Sequence, residues 1–140
     1  MSASLDLIAG WLVPSAAAAV VGPAGVLGCY GDIARLYRLA SVTKPLAARA
    51  AQVAVEEGAI GLDTPAGPPG STVRHLLAHA SGLSMSSAAV QAEPGARRVY
   101  SNYGFQVLAE TIERDSGIEF GQYLAGGEER LDPTLDEVHR

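Results

Sequence analysis

From Val42 to Glu57 the chain runs without a glycine, rich in alanine, with apolar residues at Leu46, Ala50, Val53 and Ala54. Positions three and four apart share one face of a helix, so this run predicts a helix with a buried stripe. Gly58 follows, where a left-handed residue can end a helix without a Cβ clash. Side chains this small fill little space each. A core built on them needs neighbouring elements that approach closely.

Those neighbours can be placed from turn residues and periodicity. Leu5, Ile8, Ala9 and Leu12 recur at helical spacing before Pro14, which predicts a short helix over Ser4 to Leu12. Ala16 to Val21 and Gly25 to Tyr30 are apolar runs on either side of Gly22-Pro23-Ala24, the pattern of a β-hairpin. Leu36 to Leu39 reads as a brief third extended piece. Gly67, Gly70 and Pro65, Pro68 and Pro69 make Leu62 to Gly70 an irregular crossing loop. Ser71 or Thr72 then caps a helix running through His79, closed by Ser81-Gly82. Asn102 to Ser116 is a further helix with Phe105, Leu108, Ala109 and Ile112 on one face and Gly117 as its stop. Glu119 to Leu124 begins a last one, and 126–140 is acidic, polar and expected to fray. The fold class is therefore α+β: a hairpin of an antiparallel sheet plus a helical lobe. One domain accounts for all 140 residues.

Composition narrows the function. The formal charge of -5 lacks the concentration of Lys and Arg that phosphate recognition requires, so no nucleic-acid partner is expected. Cys29 is the only cysteine, which excludes an intrachain disulfide and a cysteine metal cluster. His75 and His79 stand at i and i+4, a spacing that can bind zinc, but no acidic third ligand or HExxH pattern accompanies them. Structural hydrogen bonding is the reading for both, with no metal and no cofactor. Trp11 reads as an apolar anchor of the first helix, and Glu56-Glu57 and Glu128-Glu129 as solvated faces. Leu7 to Leu27 is largely apolar, yet no Lys or Arg precedes Arg35 and Pro14, Gly22 and Pro23 interrupt it. The expectation is a soluble, cytoplasmic chain that starts at Met1, with no membrane partner.

Chemistry enters at Ser41-Val42-Thr43-Lys44, which opens the long helix. Serine and lysine three residues apart meet on one helical turn, within reach of each other. Pro45 agrees with a helix start, because proline is tolerated in a first turn. Free backbone N–H groups and the positive end of the helix dipole favour the oxyanion formed when a carbonyl is attacked. The lysine must be neutral part of the time to act as base, and Leu39, Ala40 and Leu46 are expected to bury it. Alone, S-x-x-K is equally a capping serine beside a solvated lysine. Tyr100-Ser101-Asn102 changes the balance, since residues two apart project to one side and bring a phenol and an amide to one cleft. The plain alternative for that triplet is an N-cap at Asn102 preceded by a core tyrosine.

Leu39-Ala-Ser-Val-Thr-Lys-Pro45, Val55-Glu-Glu-Gly58 and Leu62-Asp-Thr-Pro65 resemble the first part of the β-lactamase-related serine hydrolases. That family includes penicillin-binding D-alanyl peptidases, class C β-lactamases and related esterases. Thr72 to Leu83 is similar to the stretch between its first two motifs, and Pro94 to Gly104 to the segment holding its Tyr-x-Asn motif. The resemblance implies Ser41 as acyl-forming nucleophile, Lys44 as base, Tyr100 as proton-relay partner and Asn102 as a contact for substrate and lysine. It also implies a third motif, Lys or His followed by a small residue and glycine, on a later strand. Nothing after Tyr123 matches it, and Leu131 to Leu135 is only faintly like the family's next helix exit. The expectation is a C-terminally truncated domain whose hairpin lacks partner strands. Loss of one oxyanion donor costs on the order of 10² to 10³ in rate. An exposed sheet edge invites self-association.

The residues alone also allow a small α-helical scaffold with no site, and two functions follow from the resemblance. One is a serine hydrolase acting on the carbonyl of a β-lactam, a D-alanyl peptide or a simple ester through an acyl-serine intermediate. The other is an inactive fragment that serves as a binding or assembly module.

Overall fold

A computed structural model describes residues 3–129 of the chain. They fall into two compact units, divided between Leu39 and Ala40.

In the first unit, α1 (Ala3–Asp6) passes directly into a 3-10 turn, Leu7–Gly10. The helix expected to reach Leu12 stops earlier because glycine disfavours helix continuation and Trp11 adopts an extended conformation, with its N–H closing the turn on the Ile8 carbonyl. Of the predicted stripe, Leu5 and Ile8 are buried, whereas Leu12 is fully exposed. β1 (Ala18–Gly22) and β2 (Gly25–Tyr30) pair antiparallel as the hairpin pattern requires. A bulge lies between Val20 and Val21, and Gly25 takes φ +110° at the turn, a conformation open to glycine. Leu5 packs over Gly28, which leaves no side chain in its way. Trp11 is no core anchor: it is 59% exposed and, with Pro14, Tyr30, Arg35 and Tyr37, lines a cleft of about 300 Å³. Leu36 to Leu39 forms no strand.

The second unit carries the helices. A 3-10 turn at Ala40–Val42 leads into α2 (Thr43–Glu56). α3 (Val73–Leu77) follows the proline-rich loop, then α4 (Asn102–Ser116) and α5 (Phe120–Glu129). α3 is shorter than the run to His79, because His79 itself turns left-handed at φ +57°. α2 buries Ala47, Ala50, Ala51, Val53 and Ala54. Ala50, Ala51, Val53 and Ala54 meet Leu76 of α3, Leu108 and Ile112 of α4, and Tyr123 of α5 in one core. Burial of the larger members stabilises the unit by about 1.5–3 kcal/mol each. Gly58 and Gly117 end α2 and α4 left-handed, as predicted. Glu56 and Glu57 are not merely solvated: Arg49 pairs with Glu56, and the Tyr123 hydroxyl donates to Glu57. Fraying is expected from Gly126, yet α5 runs on to Glu129; the side chains of Glu128 and Glu129, the Leu131 to Leu135 segment and the rest of 130–140 lie outside the described residues.

Candidate active site

Ser41 sits in the 3-10 turn rather than in α2 itself, immediately after Ala40, a non-glycine residue at φ +43°. Left-handed backbone at such a residue costs on the order of 1 kcal/mol. Lys44 stands one turn further, at the start of α2. Its Nζ donates to Ser41 Oγ at 3.2 Å, the reach that a three-residue spacing predicts. Ser41 Oγ and the Tyr100 hydroxyl share a 2.7 Å hydrogen bond in which either can donate. Lys44 Nζ donates also to Asn102 Oδ1 at 2.6 Å. All four residues singled out in the sequence thus form one hydrogen-bonded group, although Ser41 and Tyr100 are 59 positions apart.

The surroundings of Lys44 differ from expectation. Leu39 and Ala40 are themselves exposed, while Leu46 and Lys44 are half-buried. The ammonium instead lies 4.7 Å from the centre of the Tyr100 ring and 5.7 Å from that of Phe105. Ring faces carry negative potential and attract a cation there. Among the described residues no carboxylate pairs with Lys44. The Lys44 ammonium, and after it the Ser41 hydroxyl, draw the Tyr100 phenol below its ordinary value of 10.0. Both contacts favour phenolate over phenol.

The segment that carries Tyr100 and Asn102 is fixed by residues to which sequence reasoning gave no part in the site. Ser101, not Asn102, is the N-cap of α4. Its buried Oγ accepts the Gly104 N–H at 2.8 Å and donates to the Ser84 carbonyl at 2.6 Å. The Asn102 and Tyr103 N–H groups both donate to the Met85 carbonyl. His79 Nδ1 accepts the Ser101 N–H at 3.1 Å, and the His79 carbonyl accepts the Val99 N–H at 2.7 Å. Serine three residues before Gly104 was a visible capping signal. The left-handed turn at His79 had none. His75 also serves the backbone, its Nδ1 accepting the Thr72 N–H as half of a capping box on α3. No group of three His, Cys, Asp or Glu side chains converges among the described residues. Nor is any helix there long and apolar enough to cross a membrane.

A family model described as Beta-lactamase matches residues 13–134. The chain is similar to the crystal structure of a beta-lactamase from Mycobacterium bovis, with 70% identity and a TM-score of 0.81. That match covers 88% of this chain and 45% of the other, so the chain spans less than half the length of this relative. A penicillin-binding protein from Bacillus halodurans matches at 27% identity and TM-score 0.53, over 59% of this chain and 35% of its own. The octameric penicillin-binding protein homologue from Pyrococcus abyssi matches at 26% identity and TM-score 0.62, over 76% and 36% respectively. No curated protein matches.

Proposed function

This chain belongs to the beta-lactamase family, and on that premise we propose that it is a serine hydrolase acting on an ester or amide carbonyl through an acyl-serine at Ser41. One observation carries the reading: Ser41 Oγ lies within hydrogen-bond reach of both Lys44 Nζ and the Tyr100 hydroxyl. In its neutral form the Lys44 amine accepts the hydroxyl proton as Oγ attacks the carbonyl carbon. The carbonyl π pair moves onto oxygen, then returns as the bond to the leaving group breaks. Tyr100 relays a proton to the departing nitrogen or oxygen, and the ester at Ser41 remains. Attack by water releases the acid and restores the serine. Asn102, whose Oδ1 is occupied by Lys44, keeps its amide N–H groups to donate to a bound carbonyl.

The substrate class is a small molecule or peptide bearing such a carbonyl: a β-lactam, a D-alanyl peptide or a simple ester. A second reading, a non-catalytic binding or assembly module, draws support from the exposure of Ser41, Tyr100 and Asn102. Intact-mass measurement after incubation with a fluorophosphonate or a labelled penicillin separates the two. A single adduct that vanishes in Ser41→Ala is the expected outcome for the hydrolase. A folded protein that never gains mass is the module.

A further inference from the structure

His79 is 7% exposed and belongs to none of the four proton-handling and substrate-facing residues. Its ring centre lies 4.5 Å from that of Tyr100 and 5.2 Å from that of Phe105, tilted against both. Nδ1 accepts the N–H of Ser101, the residue between Tyr100 and Asn102. A backbone N–H can only donate, so Nδ1 must carry a lone pair and any ring proton must sit on Nε2. The backbone at His79 is left-handed at φ +57°, a conformation glycine or asparagine adopts more readily.

We propose that His79 is a positioning residue: its neutral ring holds the Tyr100–Asn102 segment against Ser41 and Lys44, and its protonation withdraws that support. An imidazolium would set a second donor against the Ser101 N–H and a cation against the ring contacts of Lys44. The charged and titratable groups around it are Lys44 from α2 and Arg98 and Tyr100 from the segment before α4, and α4 sets the apolar Phe105 ring against it. No carboxylate lies within ion-pair distance of it among the described residues. Burial first, then Arg98, then Lys44 hold the imidazole below its ordinary value of 6.5, so the neutral form dominates at neutral pH.

The inference rests on the proposed hydrolase reading, and two variants with two readouts keep the two separable. His79→Asn keeps an oxygen able to accept the Ser101 N–H, tolerates the left-handed backbone and does not titrate. His79→Gly fits the backbone and removes the acceptor. Acylation by a fluorophosphonate in the wild type should show an acid-side step that coincides with the His79 titration followed by NMR. His79→Asn should acylate without that step. His79→Gly should be slower by roughly 10- to 100-fold at every pH, the scale of a misplaced reacting group. A step that persists in His79→Asn, or wild-type acylation by folded His79→Gly, overturns the proposal; should His79→Gly fail to fold, His79→Asn alone decides. If the wild type does not acylate at all, the hydrolase reading fails and the Tyr100 phenol decides this one. Its ultraviolet titration, taken as the difference from Tyr100→Phe, should move upward in His79→Gly or, if that variant does not fold, show in the wild type an inflection at the His79 titration that His79→Asn lacks. No such change overturns the positioning role.

Discussion

Asn102 Oδ1 receives the Lys44 ammonium at 2.6 Å, the shortest polar contact within the group around Ser41. The lysine is therefore aimed from α4 as well as from its own helix. Removing the acceptor in Asn102→Ala should slow acylation of Ser41 by roughly 10- to 100-fold through loss of orientation. Asn102→Asp places a carboxylate on the same nitrogen, favours the ammonium and should be slower still. A time course of intact mass for the three proteins checks both.

Lys44→Met should slow acylation by roughly 10² to 10⁴, as loss of a general base does. The same change removes the first cause of the lowered Tyr100 phenol, so that phenol should titrate higher, toward 10.0. Ultraviolet titration against Tyr100→Phe reads this directly. An unchanged acylation rate would remove Lys44 from the mechanism.

Ser101→Ala strips a cap that is 1% exposed and leaves the Gly104 N–H and the Ser84 carbonyl without their partner. A loss of about 1–3 kcal/mol in unfolding free energy is expected, measurable by urea titration. Leu108→Ala, in a side chain wholly buried among α2, α3 and α4, should cost about 2–5 kcal/mol by the same measurement.

Stability should fall on mild acidification. The His79 imidazole is held below 6.5 in the folded chain, so the unfolded chain takes up the proton first. Its contribution is complete above 6.5, declines as the pH drops through that value, and is exhausted below the folded-state titration. His79→Asn should flatten the pH dependence of the thermal midpoint in that window.

Much of this was legible in the residues. Glycine-free α2, the hairpin on either side of Gly22-Pro23-Ala24, and α4 up to Gly117 each carry a local signal strong enough to survive folding. The meeting of Ser41 with Tyr100 followed only by joining two motifs, because no local pattern encodes a contact across 59 positions. What escaped was partly local and partly set by tertiary context. Gly10 ended the first helix early, Phe105 turned partly toward Lys44 instead of wholly into the core, and His79 entered a left-handed turn that only its neighbours stabilise.

The small side chains on the inner face of α2 have a consequence well away from the chemistry. Ala50 and Ala51 are at most 1% exposed and share a core with Leu108 and Ile112 of α4, and protein cores are close-packed. The helix bearing the amine and the one bearing the amide are thus gauged by the width of a methyl group. An added methylene at either alanine would be felt as an ångström-scale parting of serine from tyrosine, and a lineage drifting at these two sites would detune its own reactivity before losing its shape.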